Sequence, residues 1–553
     1  MTAEDVDRLE QSVPPPEPAP ASSRSGPARA PLPWWAALLL AAASGLLLVL
    51  AFPSELVPVG IWPAALVAPA GLLLALQGRR LALAALAGFV FFAAFYLAHI
   101  SWMSQFLRVP GAEWVPGTAL SVFMALGGAL GAVLIALAYR WLPRAWPGAA
   151  GRLIVLPVAV AGLWTAREAA ASTIPYGGFA WGRIGLSQGT GWLAELYSWL
   201  GVSGMTFLCV LIAAVGLAVV QELLRGGRTA ALRAGAGLVA GAAALALVPS
   251  WPVDDAGSLR VAAVQGNGKT AYFDPPARWG DNLAAQVAAT EPAYGEEVDV
   301  VVWPEGGSDL DPLRSPEAAA LFDLVSARSG APLVSGVVTS RLGDGEDPMT
   351  QTRWYNTALV WRAGEEIGDF YDKRRPVPFG EYVPDRQLWR QFAPDLIDLI
   401  RRDYTPGTTD AVLELDDGVR AGAAICFDIV DDGLMRDMAA QGAQLLLAPT
   451  NNGDFGMTIE SAQQLEIARV RALELGRAVV NISTVGTSAI ILPDGSELDR
   501  LPRYEAGIMI EEVPLATTVT PAMAVGAWIE LLAALSGLCL LAAAIIVRRP
   551  RRL

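Results

Sequence analysis

Residues 298–305 read VDVVVWPE, a short run of β-branched residues that closes on an acid. The run is too short for a helix and apolar on both faces, as in a strand buried inside a sheet that is covered on either side. Glu305 stands at its end, where a charge is costly unless it is used; the plainer alternative is an acid that starts a helix. Seven runs of the same kind flank it: LRVAAVQ (259–265), APLVSGVV (331–338), NTALVWR (356–362), AGAAICFD (421–428), AQLLLAP (443–449), AVVNIST (478–484) and TSAIIL (487–492). Helical patterning falls at 281–290, 315–329, 433–441 and 459–476. Strands alternating with helices predict an α/β layered domain over 251–520.

The rest of the chain is of a different kind. Of 553 residues, 53% are hydrophobic and 17% charged, with mean hydropathy +0.41, too apolar for a soluble protein of this size. The net charge of −14 divides unevenly: 251–520 holds 22 basic and 43 acidic residues, and the remainder is net basic. An acidic domain excludes nucleic acid as the partner, because phosphate binding needs a clustered basic face. Residues 1–33, rich in Pro, Ala, Ser and Arg, predict a disordered tail. Apolar stretches follow at 34–52, 58–77, 81–100, 117–139, 153–171, 192–220 and 229–249, forming a membrane domain over 34–250, with an eighth span within 521–547 and a basic tail at 548–553. The first apolar run, at Trp34, comes after a long polar lead, which suits an anchor rather than a cleaved signal peptide.

Arginine placement predicts the orientation. With the N-terminus cytoplasmic, 15 of the 18 Arg outside 251–520 fall on the inside, among them Arg79, Arg80, Arg140, Arg144, Arg152, Arg225, Arg228 and Arg233. Both termini are then cytoplasmic and the acidic domain lies outside the cytoplasm. His99, Arg167, Glu168, Glu195 and Glu530 lie in or near spans, mostly at their ends, and are read as interfacial rather than as a transport path.

Scarcity narrows the chemistry. The three cysteines and single histidine, His99, leave no basis for a zinc site, a disulfide framework or a histidine base in the polar domain. QGNGKT (265–270) ends like a phosphate-binding loop, but Ala263 stands where its first glycine belongs. Cys209 and Cys539 fall within spans, and Cys426 is the only thiol of the domain; it is either a core cysteine or a nucleophile presented at a strand end. Without histidine, an activated thiol needs another base, and a carboxylate raised in pKa by a dry pocket, such as Glu305, is the physical alternative. Lysine occurs twice, at Lys269 and Lys373, against 38 Arg. Lys373 offers a compact ammonium able to meet a developing oxyanion, which a planar guanidinium does not replace; Lys269 is equally a surface-loop residue.

Glu305, Lys373 and Cys426, in that order, resemble the Glu-Lys-Cys triad of the nitrilase superfamily, whose members fold as an αββα sandwich. With spans on both sides, and with VQGN (264–267), WPEGG (303–307), YDKRRPVPFGEYVP (371–384) and RVRALELGR (469–477), the chain is similar to the bacterial apolipoprotein N-acyltransferases. The resemblance implies a polytopic α-helical membrane domain of about eight spans carrying a nitrilase-like domain, in the bacterial inner membrane. It implies acyl transfer from a phospholipid through a Cys426 thioester to the α-amine of a diacylglyceryl-modified lipoprotein. Glu305 would be the general base, Lys373 and the backbone N–H of Phe427 the oxyanion donors, and Glu381 a supporting acid. No cofactor or metal is expected.

This sequence departs from the family pattern at Phe427 and Asp428, where Tyr-Glu is usual, at Phe273, in place of a loop Trp, and in TNNGDFG (450–456), which lacks a Trp near Asp454. Segment 386–404 interleaves Trp389, Phe392 and aliphatic residues with charge, and reads as an interfacial lid or an amphipathic core helix. Two other functions fit less of the sequence: a membrane-tethered nitrilase-like amidase, for which one span would suffice, and a non-catalytic scaffold, for which the triad would be idle.

Overall fold

The computed structural model describes residues 31–106, 111–268, 278–342, 352–365 and 368–547. Lys269, Phe273, Arg108 and the arginines of both tails lie outside the described residues. Among the described residues seven α-helices come first: α1 (Trp34–Val49), α2 (Ala64–Leu76), α3 (Leu81–His99), α4 (Trp114–Ala145), α5 (Leu156–Ala171), α6 (Tyr197–Leu224) and α7 (Arg228–Leu245). Within the polar domain follow α8 (Asp281–Thr290), α9 (Pro316–Ser329), the single turns α10 (Arg386–Trp389) and α11 (Pro394–Ile397), α12 (Asp432–Ala440) and α13 (Glu460–Leu475). The chain re-enters the bundle as α14 (Pro521–Val547).

A helix lies in each of the eight predicted stretches, but α1, α2 and α7 are not among those long and apolar enough to cross a bilayer. Among the described residues five helical stretches are long and apolar enough to cross a bilayer: Leu81–His99, Trp114–Ala145, Gly151–Ala171, Ala194–Leu224 and Pro521–Val547. With 16 and 13 residues, α1 and α2 are shorter than the ~20 that a perpendicular crossing takes. Arg167 and Glu168 pair with each other at 3.0 Å. Small residues let α14 close the bundle: a Cβ on Gly162 of α5 would stand 2.5 Å from Ala533 O and Gly537 N. Both ends of the polar domain are thus rooted in one bundle.

Among the described residues the domain is two six-stranded sheets face to face. One has the order β12-β1-β2-β3-β4-β5, with β1 (Ser258–Gln265), β2 (Val300–Val302), β3 (Leu333–Arg341), β4 (Arg353–Trp361), β5 (Phe370–Asp372) and β12 (Gly507–Pro514). The other has the order β11-β10-β9-β8-β7-β6, with β6 (Val412–Glu414), β7 (Arg420–Ala423), β8 (Leu445–Thr450), β9 (Val479–Ser483), β10 (Ser488–Ile491) and β11 (Glu497–Leu501). Six of the eight apolar runs are the parallel strands β1, β2, β3 and β7, β8, β9; NTALVWR and TSAIIL become the antiparallel strands β4 and β10.

Alternation sorts these side chains between two cores. Val261, Ala263, Val300 and Val302 point between the sheets, while Ala262, Val264 and Val301 pack on Leu283 of α8 and Phe322 of α9. Four strands escaped the sequence reading. They are three-residue pieces (β5, β6) or partly exposed edge strands (β11, β12) without a full apolar run. Strands β2 and β7 stop well short of the ends of their motifs, at Val302 and Ala423, so Glu305 and Cys426 sit on the turns beyond, not on the strands.

Helix α13 lies between the second sheet and the bundle. All its residues except Ala462 and Arg469 are buried, polar ones included, because one face meets β9 and β10 and the other meets α6.

Candidate functional site

The turn after β2 carries Glu305 toward the facing sheet. Its backbone passes so close to β3 that only glycine fits: Gly336 N donates to Pro304 O at 3.2 Å, and a Cβ there would stand 2.5 Å from Glu305 Cα. Gly336→Ala is expected to destabilise the protein by about 1–3 kcal/mol through overpacking and to displace Glu305. Thermal unfolding and catalytic rate, measured together, check this.

The Glu305 carboxylate is held by both sheets. Oε1 accepts from Asn356 Nδ2 on β4 at 2.6 Å, and Oε2 accepts from the backbone N of Asn451, just past β8, at 2.9 Å. Asn356 Nδ2 also donates to Glu381 Oε1 at 2.6 Å. Lys373 follows β5 and is 1% exposed; its Nζ lies 3.0 Å from Glu381 Oε2, which also accepts from Val377 N at 2.6 Å. Two carboxylates, one ammonium and one shared amide form a continuous polar chain, Glu305–Asn356–Glu381–Lys373.

Cys426 opens a 3-10 turn, Cys426–Val430, with φ +52°, a left-handed conformation uncommon for a residue with a Cβ. Asp428 braces that turn: its Oδ2 accepts from Ile425 N at 3.2 Å and from Tyr371 OH on β5 at 3.0 Å. The departure at position 428 is thus a shorter acid with a structural task. The other departure, Phe427, stacks on two rings of the membrane domain, Phe179 and Trp181.

Electrostatics set the resting protonation. Burial, with Glu381 adding, raises the Glu305 pKa against the pull of Lys373. Burial alone would lower Lys373, but Glu381 and Glu305 outweigh it and raise its pKa, so the ammonium persists. Burial and the neighbouring Glu305 push the Cys426 thiol well up, with Lys373 opposing. The resting site is a thiol facing a carboxylate of raised basicity beside a permanent cation, a set suited to nucleophilic attack on an acyl carbon. Among the described residues no three His, Cys, Asp or Glu side chains form a metal-binding group.

Burial raises Asp428 to about 7. Unfolded, its pKa is about 3.9, so between those values the folded state binds the proton more tightly. This group's contribution is therefore complete at low pH and is lost as pH rises through 7. Asp428→Asn, which can keep both accepted hydrogen bonds, is expected to reduce the fall of Tm between pH 5 and 8 in detergent, read by a thermal-shift series.

Of the predicted residues, Glu305, Lys373, Glu381 and Cys426 converge. The 386–404 segment does not form one helix; it makes the two single turns α10 and α11, interrupted before Pro394. Trp389 is half-buried, edge-on to Phe379 at 5.4 Å, and Phe392 is 74% exposed. Sequence reasoning missed Asn356, Asn451 and Tyr371. The one signal was an Asn opening the otherwise apolar run NTALVWR.

Two family models match: carbon-nitrogen hydrolase over residues 260–520, and the apolipoprotein N-acyltransferase N-terminal domain over residues 44–215. The chain is similar to proteins named apolipoprotein N-acyltransferase. That of Azotobacter vinelandii is 31% identical over 90% of this chain and 93% of the relative, and that of Pseudomonas aeruginosa 32% identical over 92% and 96%. That of Mycolicibacterium smegmatis is 33% identical over 52% of this chain and 49% of the relative. Among solved structures, a CN-hydrolase superfamily protein of Xanthomonas campestris is 21% identical over 46% of this chain and 90% of that one, with TM-score 0.35. A Nesterenkonia amidase is 20% identical over 48% and 93%, with TM-score 0.33.

Proposed function

Since the chain belongs to the apolipoprotein N-acyltransferase family, we propose that it acylates lipoproteins in two steps through Cys426. Glu305 takes the thiol proton and Cys426 Sγ attacks a phospholipid acyl ester. The S–C bond forms, the ester C–O bond breaks, and Glu305 returns the proton to the departing lysophospholipid. The α-amine of a diacylglyceryl-cysteine then attacks the thioester, Glu305 takes the amine proton and passes it to the leaving thiolate, and the acyl chain ends as an amide. Lys373 and the Phe427 N–H stabilise the oxyanion in both steps, and Glu381 orients Lys373.

The observation that carries this reading is the bonded chain Glu305–Asn356–Glu381–Lys373, whose two ends, Glu305 and Lys373, both act electrostatically on Cys426. A site on a membrane bundle suits these substrates, because a water-exposed domain would have to extract each acyl chain at about 0.8 kcal/mol per CH₂. On this reading 251–520 is the catalytic domain, outside the cytoplasm of the bacterial inner membrane, with both termini cytoplasmic. Trp389 and Phe392 border the lipid entry, and Phe273, outside the described residues, is assigned to substrate contact.

The test uses the full-length enzyme in detergent with phospholipid and a diacylated lipopeptide, read by mass spectrometry. One added acyl group on the lipopeptide supports the reading. Free fatty acid without amide product would instead identify a hydrolase.

A further inference from the structure

The segment between α5 and α6 is part of the membrane domain, yet it grips the turn that carries Cys426. The rings of Phe179 and Trp181 both lie nearly parallel to Phe427, at 5.8 Å and 18° and at 6.1 Å and 5°. Trp181 is itself immobilised: it is 2% exposed, and its Nε1 donates to Gln463 Oε1 on α13 at 2.8 Å. Gln463 also accepts from Trp102 Nε1 at 3.0 Å and donates to the backbone O of Pro53 and His99. One amide thus ties α13 to the loop after α1, the end of α3 and Trp181.

The far end of the turn is held from the same segment. Arg183, 4% exposed, donates to Asp432 Oδ2 at 2.6 Å and to Ser203 of α6, which bonds Glu530 of α14. Asp432 Oδ1 accepts from Arg471 Nη2 at 2.8 Å, and Arg471 Nε donates to the backbone O of Ile429 at 2.7 Å. Arg471 also pairs with Glu474, which accepts from Val202 N at the kink of α6. The ring of residue 427 and the carbonyl of residue 429 are therefore fixed by one membrane-domain segment, directly in one case and through Asp432 and Arg471 in the other.

We propose that Phe179, Trp181 and Arg183 are positioning residues for the nucleophile, so that the membrane domain completes the catalytic geometry rather than only anchoring it. A five-residue turn that begins at positive φ has no regular ladder to hold it. The ring clamp on Phe427 sets the direction of its N–H, and the arginine chain on Ile429 sets the height of the turn above the sheet. A misplacement of ~1 Å at such a centre costs about 100-fold in rate. Trp181 is 2% exposed and bonded to α13, so its effect is expected on the acylation rate rather than on lipid binding.

The inference rests on Cys426 being the nucleophile. The experiment is single-turnover acylation of the full-length enzyme in detergent, with phospholipid as the only substrate and the Cys426 adduct followed by mass spectrometry. Trp181→Leu is expected to lower the saturating rate by about 10- to 100-fold, with the half-saturating lipid concentration within about twofold. Trp181→Phe, which keeps a ring against Phe427, is expected to recover most of the rate. Phe179→Leu, at a half-buried site that tolerates the change, is expected to give a smaller loss of the same kind. Wild-type rates in folded Trp181→Leu and Phe179→Leu enzymes would overturn the proposal, and so would a change confined to the half-saturating concentration. A wild-type enzyme whose acyl adduct maps to another residue would refute the nucleophile assignment instead.

Discussion

Cys426→Ser is expected to lower acyl transfer by at least about 10⁴-fold, the scale of loss when a covalent nucleophile is removed, while leaving the fold intact. Serine is nearly isosteric, tolerates the same turn, and preserves the contacts of Phe427 and Asp428. What changes is acidity. Burial raises the basicity of Glu305, and a hydroxyl, many orders of magnitude less acidic than a thiol, is a far harder group for it to deprotonate. Any acyl-serine that formed would also be an oxyester, which reacts with amines more slowly than a thioester does. Intact-protein mass spectrometry after incubation with phospholipid is expected to find an acyl adduct on wild type and none on the serine variant. Replacing Cys209, buried in α6, or Cys539, in α14, by Ala is expected to leave the adduct in place. Transfer by Cys426→Ser within tenfold of wild type would remove the thiol from the mechanism.

Lys373→Arg keeps the charge and is expected to lose about 10²–10³-fold in transfer rate, the range for losing one preorganised oxyanion donor. The pocket decides this. Lys373 is 1% exposed, and its point-like ammonium is held by Glu381 while still facing Glu305 and Cys426. A guanidinium is planar and longer, and it pairs side-on with carboxylates. It would engage Glu381 in a fork and turn away from the substrate, or push Asn356 off Glu305. Lys373→Met, which removes the charge, is expected to lose at least as much. If Arg supported transfer within tenfold of wild type while Met did not, positive charge alone would be the requirement and the argument from ammonium geometry would fail.

The candidate site was legible where a residue type is rare or chemically out of place. Cys426 is the only thiol of its domain, Lys373 one of two lysines, and Glu305 an acid closing an apolar run. The groups that make these three work together were not legible. Asn356 belongs to the first sheet, Asn451 to the second, and Tyr371 to a three-residue strand; each is a common residue until the sheets meet face to face. The same holds for Phe427. In sequence it is a substitution of one aromatic for another, and in the folded protein it is the point at which Phe179 and Trp181 reach the nucleophile turn.

Composition and periodicity determined that there are two bodies, an arginine-bordered set of apolar spans and an acidic layered α/β domain, because bilayer insertion and sheet burial each leave a local pattern of apolar residues. Only the tertiary structure decided that Glu305 and Cys426 stand on turns just past their strands, that one asparagine serves two carboxylates, and that α13 is buried between sheet and bundle. Those outcomes depend on contacts between residues far apart in the chain, whose energies arise from mutual placement and leave no periodic trace along the sequence.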